Sequence, residues 1–205
     1  IPEVDLNWRP YKWFTSGLDV QHLVASGGTL YAFPELVPGD PDAPLLPDFD
    51  IRIDRFVIED LTVAEGLLGA ERIIQFRTEA DIRDGRVYLD SDGAFGGGDE
   101  FALVVEAEPD GDVFDLDLSW QAPQGGFLAG MVGAQEDLAV TLKGEGSWTA
   151  WHGDLLAVQG ETELLDFDIY NESGQYRLVG EIRPGDYLEG LPAQALGEVV
   201  ALTAS

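Results

Sequence analysis

The chain has no cysteine, which excludes disulfides, thiolate metal sites and cysteine nucleophiles. It has only two histidines, His22 and His152, far apart in sequence, so a histidine-rich metal centre is excluded as well. Positive charge is scarce: 11 basic side chains stand against 39 acidic ones, a net charge of −28. Phosphate backbones and anionic lipid surfaces are gripped by Lys and Arg, so this balance argues against nucleic acid and against docking on acidic bilayers. No apolar run approaches the roughly 20 residues of a membrane-spanning helix. There is no initiator Met and no signal peptide; the opening "IPEVDLNW" reads as part of something longer.

What the chain does have is period-two alternation. In "IQFRTEADIR", Ile74, Phe76, Thr78, Ala80 and Ile82 fall on one face, and Gln75, Arg77, Glu79, Asp81 and Arg83 on the other. A strand turns successive side chains to opposite faces, so this is a strand with one apolar side. "FALVVEAE" places Phe101, Leu103, Val105 and Ala107 together. "FDLDLSW" does the same with Phe114, Leu116, Leu118 and Trp120. "FDIRID", "LAVTLK", "LDFDIY" and "YRLVGEI" repeat the device. Turn chemistry separates the runs: Asp84-Gly85, Asp92-Gly93, Pro109-Asp110-Gly111, Ser173-Gly174 and Pro184-Gly185 are hairpin breakers. The expected fold is all-β, an antiparallel meander. Two short helices are candidates, "GFLAGMVGA" after Pro123 and "AEGLLGAE" from Ala64. A proline-rich connector runs over 34–47. No composition shift marks a second domain, so 1–205 reads as one elongated β segment.

Several motifs invite chemistry. "FGGGDEFALVVE" contains Gly97-Gly98-Asp99-Glu100-Phe101, the signature word of diguanylate cyclases. That family also needs a D-x-D-x-F-K-x-x-N-D segment upstream and a helix between, and neither is here. The alternative is a glycine-rich turn feeding a strand at Phe101. "DSDGAFGGGDE" offers Asp90, Asp92, Asp99 and Glu100 as hard calcium ligands but lacks EF-hand spacing, so a hairpin turn is favoured. Ser147, His152 and Asp154 lie on one short segment, unlike a triad that converges from separate elements. His152 is expected to be a structural hydrogen bonder beside Trp148 and Trp151. Neither an enzyme activity nor a cofactor or metal is expected.

Three segments resemble the TamB family, the inner-membrane component of the translocation and assembly module, within the AsmA-like group. The first carries Trp8-Arg9-Pro10, Gly17-Leu18-Asp19-Val20, Leu23, and Leu30 through Pro34. The second is "LPDFDIRIDRFVIEDLTV", similar to the pattern I-x-I-x-x-L-x-I. The third is "LKGEGSWTAWHGDL", similar to G-x-G followed by W-x-G. The resemblance extends over almost the whole chain. It lacks the amino-terminal membrane anchor and the carboxy-terminal domain of a full family member.

The resemblance implies a periplasmic β-sheet curled into a trough with an apolar lining. In the full protein an N-terminal helix would anchor it in the inner membrane. It would work with a TamA-like outer-membrane barrel through the C-terminal part, and its cargo would be phospholipid. Alternation alone favours a closed sandwich instead, whose apolar faces pack on each other. On the trough reading the lining is Ile74, Phe76, Ala80, Ile82, Phe101, Leu103, Val105, Phe114, Leu116, Leu118, Val140, Leu142, Phe167 and Ile169. Two alternatives remain: a scaffold that assists outer-membrane protein assembly by strand addition, and, remotely, the cyclase. Unpaired terminal strands would also allow edge-to-edge self-association.

Overall fold

The computed structural model describes residues 2–15, 17–32, 49–67, 70–183 and, by backbone, 200–204. The connector at 34–47 and the Pro184-Gly185 turn lie outside them. The fold is all-β, an open curled sheet. Its strands are β1 (Glu3–Trp8), β2 (Gly17–Ser26), β3 (Thr29–Leu30), β4 (Asp50–Val63), β5 (Arg72–Arg83), β6 (Arg86–Phe95), β7 (Asp99–Glu108), β8 (Val113–Ala122), β9 (Leu138–Gly146), β10 (Ala150–Gln159), β11 (Thr162–Glu172), β12 (Gln175–Ile182) and β13 (Val200–Ala204). They line up as β1-β2-β4 and then in sequence order to β13, with β3 also paired to β4.

From β4 onward every neighbour is antiparallel, and most of these strands are joined by turns too short for a parallel crossover. Asp84-Gly85 (φ 52° and 76°) and Ser173-Gly174 (φ 54° and 85°) are two-residue hairpins with both residues left-handed, matching the twist of the strands they join. Two pairings depart from the meander: β2 and β3 both run parallel to β4. Parallel neighbours need a crossover of a dozen or more residues, and the stretch between β3 and β4 is long enough.

Two sequence expectations are corrected. Asp92-Gly93 does not break the chain but lies inside β6, where a Cβ on Gly93 would stand 2.4 Å from the Gln75 carbonyl oxygen and 2.8 Å from the Phe101 ring. Glycine in a strand here permits close approach rather than a turn. The stretch from Ala64 forms a turn over 65–67, with no helix among its described residues. The other candidate is a helix, α1 (Phe127–Val132), between β8 and β9. A 3-10 turn over Pro10–Phe14 follows β1.

A candidate apolar binding face

Residues paired across neighbouring strands share a face of the sheet, so the register extends each strand's alternation into rows. One row runs Phe56, Thr78, Ser91, Leu103, Leu118, Leu142, Leu155, Phe167 and Gly180 from β4 to β12. The next runs Ile53, Ala80, Leu89, Val105, Leu116, Gly144, Gly153, Ile169 and Leu178. A third holds Ile58, Phe76, Gly93, Phe101, Trp120, Val140, Ala157 and Leu165. Ile74 and Ile82 pair with Phe95 and Val87, and Phe114 pairs with Ala107, on the same side. All fourteen lining residues therefore share one face. The face continues through Leu18, Val20, Leu23 and Ala25 of β2 to Val4, Leu6 and Trp8 of β1.

No second sheet packs on this face among the described residues; the main contacts of each strand are with its sheet neighbours. Of the fourteen, only Phe167 is buried, and the others are half-buried. A closed sandwich would have buried them. The one polar break in the middle row is satisfied internally: Thr78 and Ser91 bond hydroxyl to hydroxyl at 2.8 Å, and Ser91 also donates to the Arg77 carbonyl. Leu89, Leu155 and Leu178 complete the rows without having been singled out from the sequence. Their signal was the same alternation, as in "VYLD".

Aromatic and helical groups border the face at both strand ends. At one, Phe114 stacks on Trp148 at 4.6 Å, and Trp151 lies across Gly144 and Gly153, where a Cβ would stand 1.8 and 2.3 Å from its ring. The turn presenting these indoles is tied down by the Thr149 hydroxyl, which donates to Asp112 at 2.8 Å and holds that carboxyl below its usual range. At the other end, Phe95, Phe101, Trp120 and Phe127 pack ring against ring. There α1 joins Ala122, Leu138, Ala157 and Leu164 in the buried cluster of the molecule.

The cyclase-like word serves this second border. Gly97 and Gly98 have φ of 95° and 94° in the turn, and β7 begins at Asp99. Asp99 is fully buried. Its carboxylate accepts the Trp120 indole N–H at 3.0 Å and the backbone N–H groups of Phe127 and Leu128 at the start of α1. This aspartate ties a helix to the sheet and is not offered to a nucleotide. Asp92, one of the calcium candidates, lies on the opposite face paired to Arg77 at 2.7 Å, so the four acids do not converge.

The opposite face is polar. Lys143 pairs with Asp117 and Arg86 with Glu108. His152 does not sit with Trp148 and Trp151; it stacks on Tyr170 at 4.7 Å and contacts Asp168 at 3.1 Å. With Asp154 it forms a group of three ligand atoms within 4.8 Å of one another, able to hold a cation but on the face away from the apolar rows. Ser147 is a turn former, accepting from the Ala150 N–H, so no triad assembles. No family model matches the chain, and no curated protein or solved structure shows significant similarity to it.

Proposed function

We propose that the chain is a periplasmic segment of a TamB-like bridge between inner and outer membranes, whose apolar face replaces water around phospholipid acyl chains on their way to the outer membrane. The observation that carries this reading is one apolar face, continuous from β1 to β12, with no second sheet over it among the described residues. A contiguous exposed apolar surface of this extent calls for an occupant. Ten inter-strand spacings of about 4.8 Å make it roughly 48 Å across the sheet. An acyl chain fits its chemistry: removing a large apolar side chain from water contributes about 1.5–3 kcal/mol. The acidic remainder keeps the segment off anionic bilayers. In the full protein an inner-membrane helix would anchor it and a TamA-like barrel would receive the lipid. Its role is to bind and shield, without covalent chemistry. Lipid co-purified with the chain and identified by mass spectrometry supports the reading; an apolar face that takes up no phospholipid from vesicles overturns it.

A second reading rests on β1. Residues Glu3–Trp8 are all exposed, and β1 pairs only with β2 among the described strands. Such an edge can accept an unfolded outer-membrane strand by main-chain hydrogen bonding. Capture of unfolded barrel segments without bound lipid would favour this scaffold role.

A further inference from the structure

The stretch from Pro123 to Ala134 carries no charged residue, and it leaves the sheet between β8 and β9 to fold back over the apolar face. Its inner side seats Ala129 and Ala134 in the buried cluster with Ala122, Leu138, Ala157 and Leu164, and Phe127 stacks on Phe95 at 5.4 Å. These apolar contacts are non-directional, so by themselves they fix no single seat for the segment. The directional hold comes from Asp99, with three N–H groups on one buried carboxylate. Hydrogen bonds to an ionised acceptor are roughly twice as strong as neutral ones. The segment is bounded by Gly125 and Gly133, at φ 78° and 76°, with open space around each. Its outer side is apolar too, with Met131 67 % and Val132 47 % exposed.

From these features we propose that α1 is a lid on the apolar face, latched by Asp99, and that lifting it adds the floor around Leu138, Val140 and Ala157 to the surface open to ligand. The proposal rests on the acyl-binding reading of that face. An uncharged segment with two apolar sides can lie on the floor when the face is empty and on an acyl chain when it is filled. Methionine, which is flexible and polarisable, suits such a contact.

The test uses the cysteine-free chain. Ala129→Cys places a thiol on the buried side of α1, and its rate of modification reports lid opening. Two variants weaken the latch: Asp99→Asn, and Gly126→Ala, whose Cβ would stand 2.2 Å from Asp99 Oδ1 while leaving the carboxylate in place. Each should raise the modification rate at least about tenfold, the factor given by roughly 1.4 kcal/mol, with the sheet's circular dichroism unchanged. Gly126→Ala carries the test should Asp99→Asn fail to fold. With dioleoyl phosphatidylcholine vesicles, a photo-crosslinker at position 140 should capture lipid several-fold more in the variants than in the unaltered latch. A crosslinker at position 116 should capture it equally in both. A thiol equally protected in both variants overturns the lid, as does position 140 capturing lipid as well as position 116 whether or not the latch is intact. Capture at neither position with a responsive thiol overturns the acyl-binding reading and supports the latch.

Discussion

Glycine serves two different purposes in this sheet, and single substitutions separate them. Gly93 is crowded: an added Cβ meets the Gln75 carbonyl and the rings of the apolar face. Gly93→Ala should destabilise by about 1–3 kcal/mol through overpacking and perturb the near-ultraviolet signal of Phe76 and Phe101. Gly85 has open space but φ of 76°. Gly85→Ala should cost about 1–2 kcal/mol through backbone strain alone, and Gly85→Asn should recover most of it because Asn tolerates the left-handed region. Thermal melts of the three variants check both claims; recovery by Asn at position 93 would contradict the distinction. Asp112 offers a charge-based test. Its carboxyl is held low first by the Thr149 hydroxyl bond. A depressed folded value means the bond contributes stability above the unfolded pKa, about 3.9, and loses it as pH falls through the folded one. Thr149→Val should raise the Asp112 titration midpoint, read by carbon NMR of the carboxyl. An unchanged midpoint would show that the bond does not hold the turn beneath Trp148.

Among the elements, β1 is the one whose environment is least complete. Val4, Leu6 and Trp8 are 66 %, 51 % and 38 % exposed, although interior residues of the same face are half-buried. Pairing between edges should occur at high protein concentration and weaken in the double variant Val4→Lys and Leu6→Lys, since lysine on an edge strand opposes pairing. Sedimentation velocity across a concentration series decides this, and a strictly monomeric unaltered chain would count against it. Strand positions were legible in the sequence because a period of two has one reading, and Asp84-Gly85 and Ser173-Gly174 marked their own turns. The direction of β4 against β2 was not, since alternation looks the same in parallel and antiparallel pairs. In β4 apolar residues of the inner face fall at 51, 53, 56, 58 and 61, with Val57 on the other side, a pattern that slips phase twice. Irregularities between Ile53 and Phe56 and between Ile58 and Leu61 absorb the slips and keep all five on one face. Such a slip reads from sequence as noise. Asp99 was hidden for another reason. An aspartate among glycines looks solvated, and it is enclosed only by Trp120 and α1, 21 and 28 or more residues further along. The separation of faces was legible in the sequence, whereas the openness of the apolar one was not: whether a second layer covers a face is a property of the assembled sheet.

At the scale of the whole molecule, an apolar face that no second sheet covers among the described residues coexists with a net charge of −28. The charge opposes association of copies at low salt and is screened as ionic strength rises. Openness also makes a charge on the inner face tolerable, which a packed core does not allow. Leu116 tests this. It sits mid-strand on β8, half-buried, between Val105 and Gly144 in register, while its neighbour Asp117 points to the other face and holds Lys143 at 2.9 Å. In a dry core an arginine there would be an unpaired buried charge and the fold would be lost. On an open face its aliphatic stem can lie along the apolar rows with the guanidinium reaching water. An acyl chain crossing that point would then meet a charge it cannot solvate. On the acyl-binding reading, Leu116→Arg should therefore leave a folded product with an unchanged circular dichroism spectrum and impaired phospholipid uptake. A photo-crosslinker at position 116 of the unmutated protein should capture phospholipid, and one at position 117 should not. Equal capture on both faces, or unfolding by Leu116→Arg together with no lipid at position 116, would mean that the apolar rows close on protein rather than on lipid.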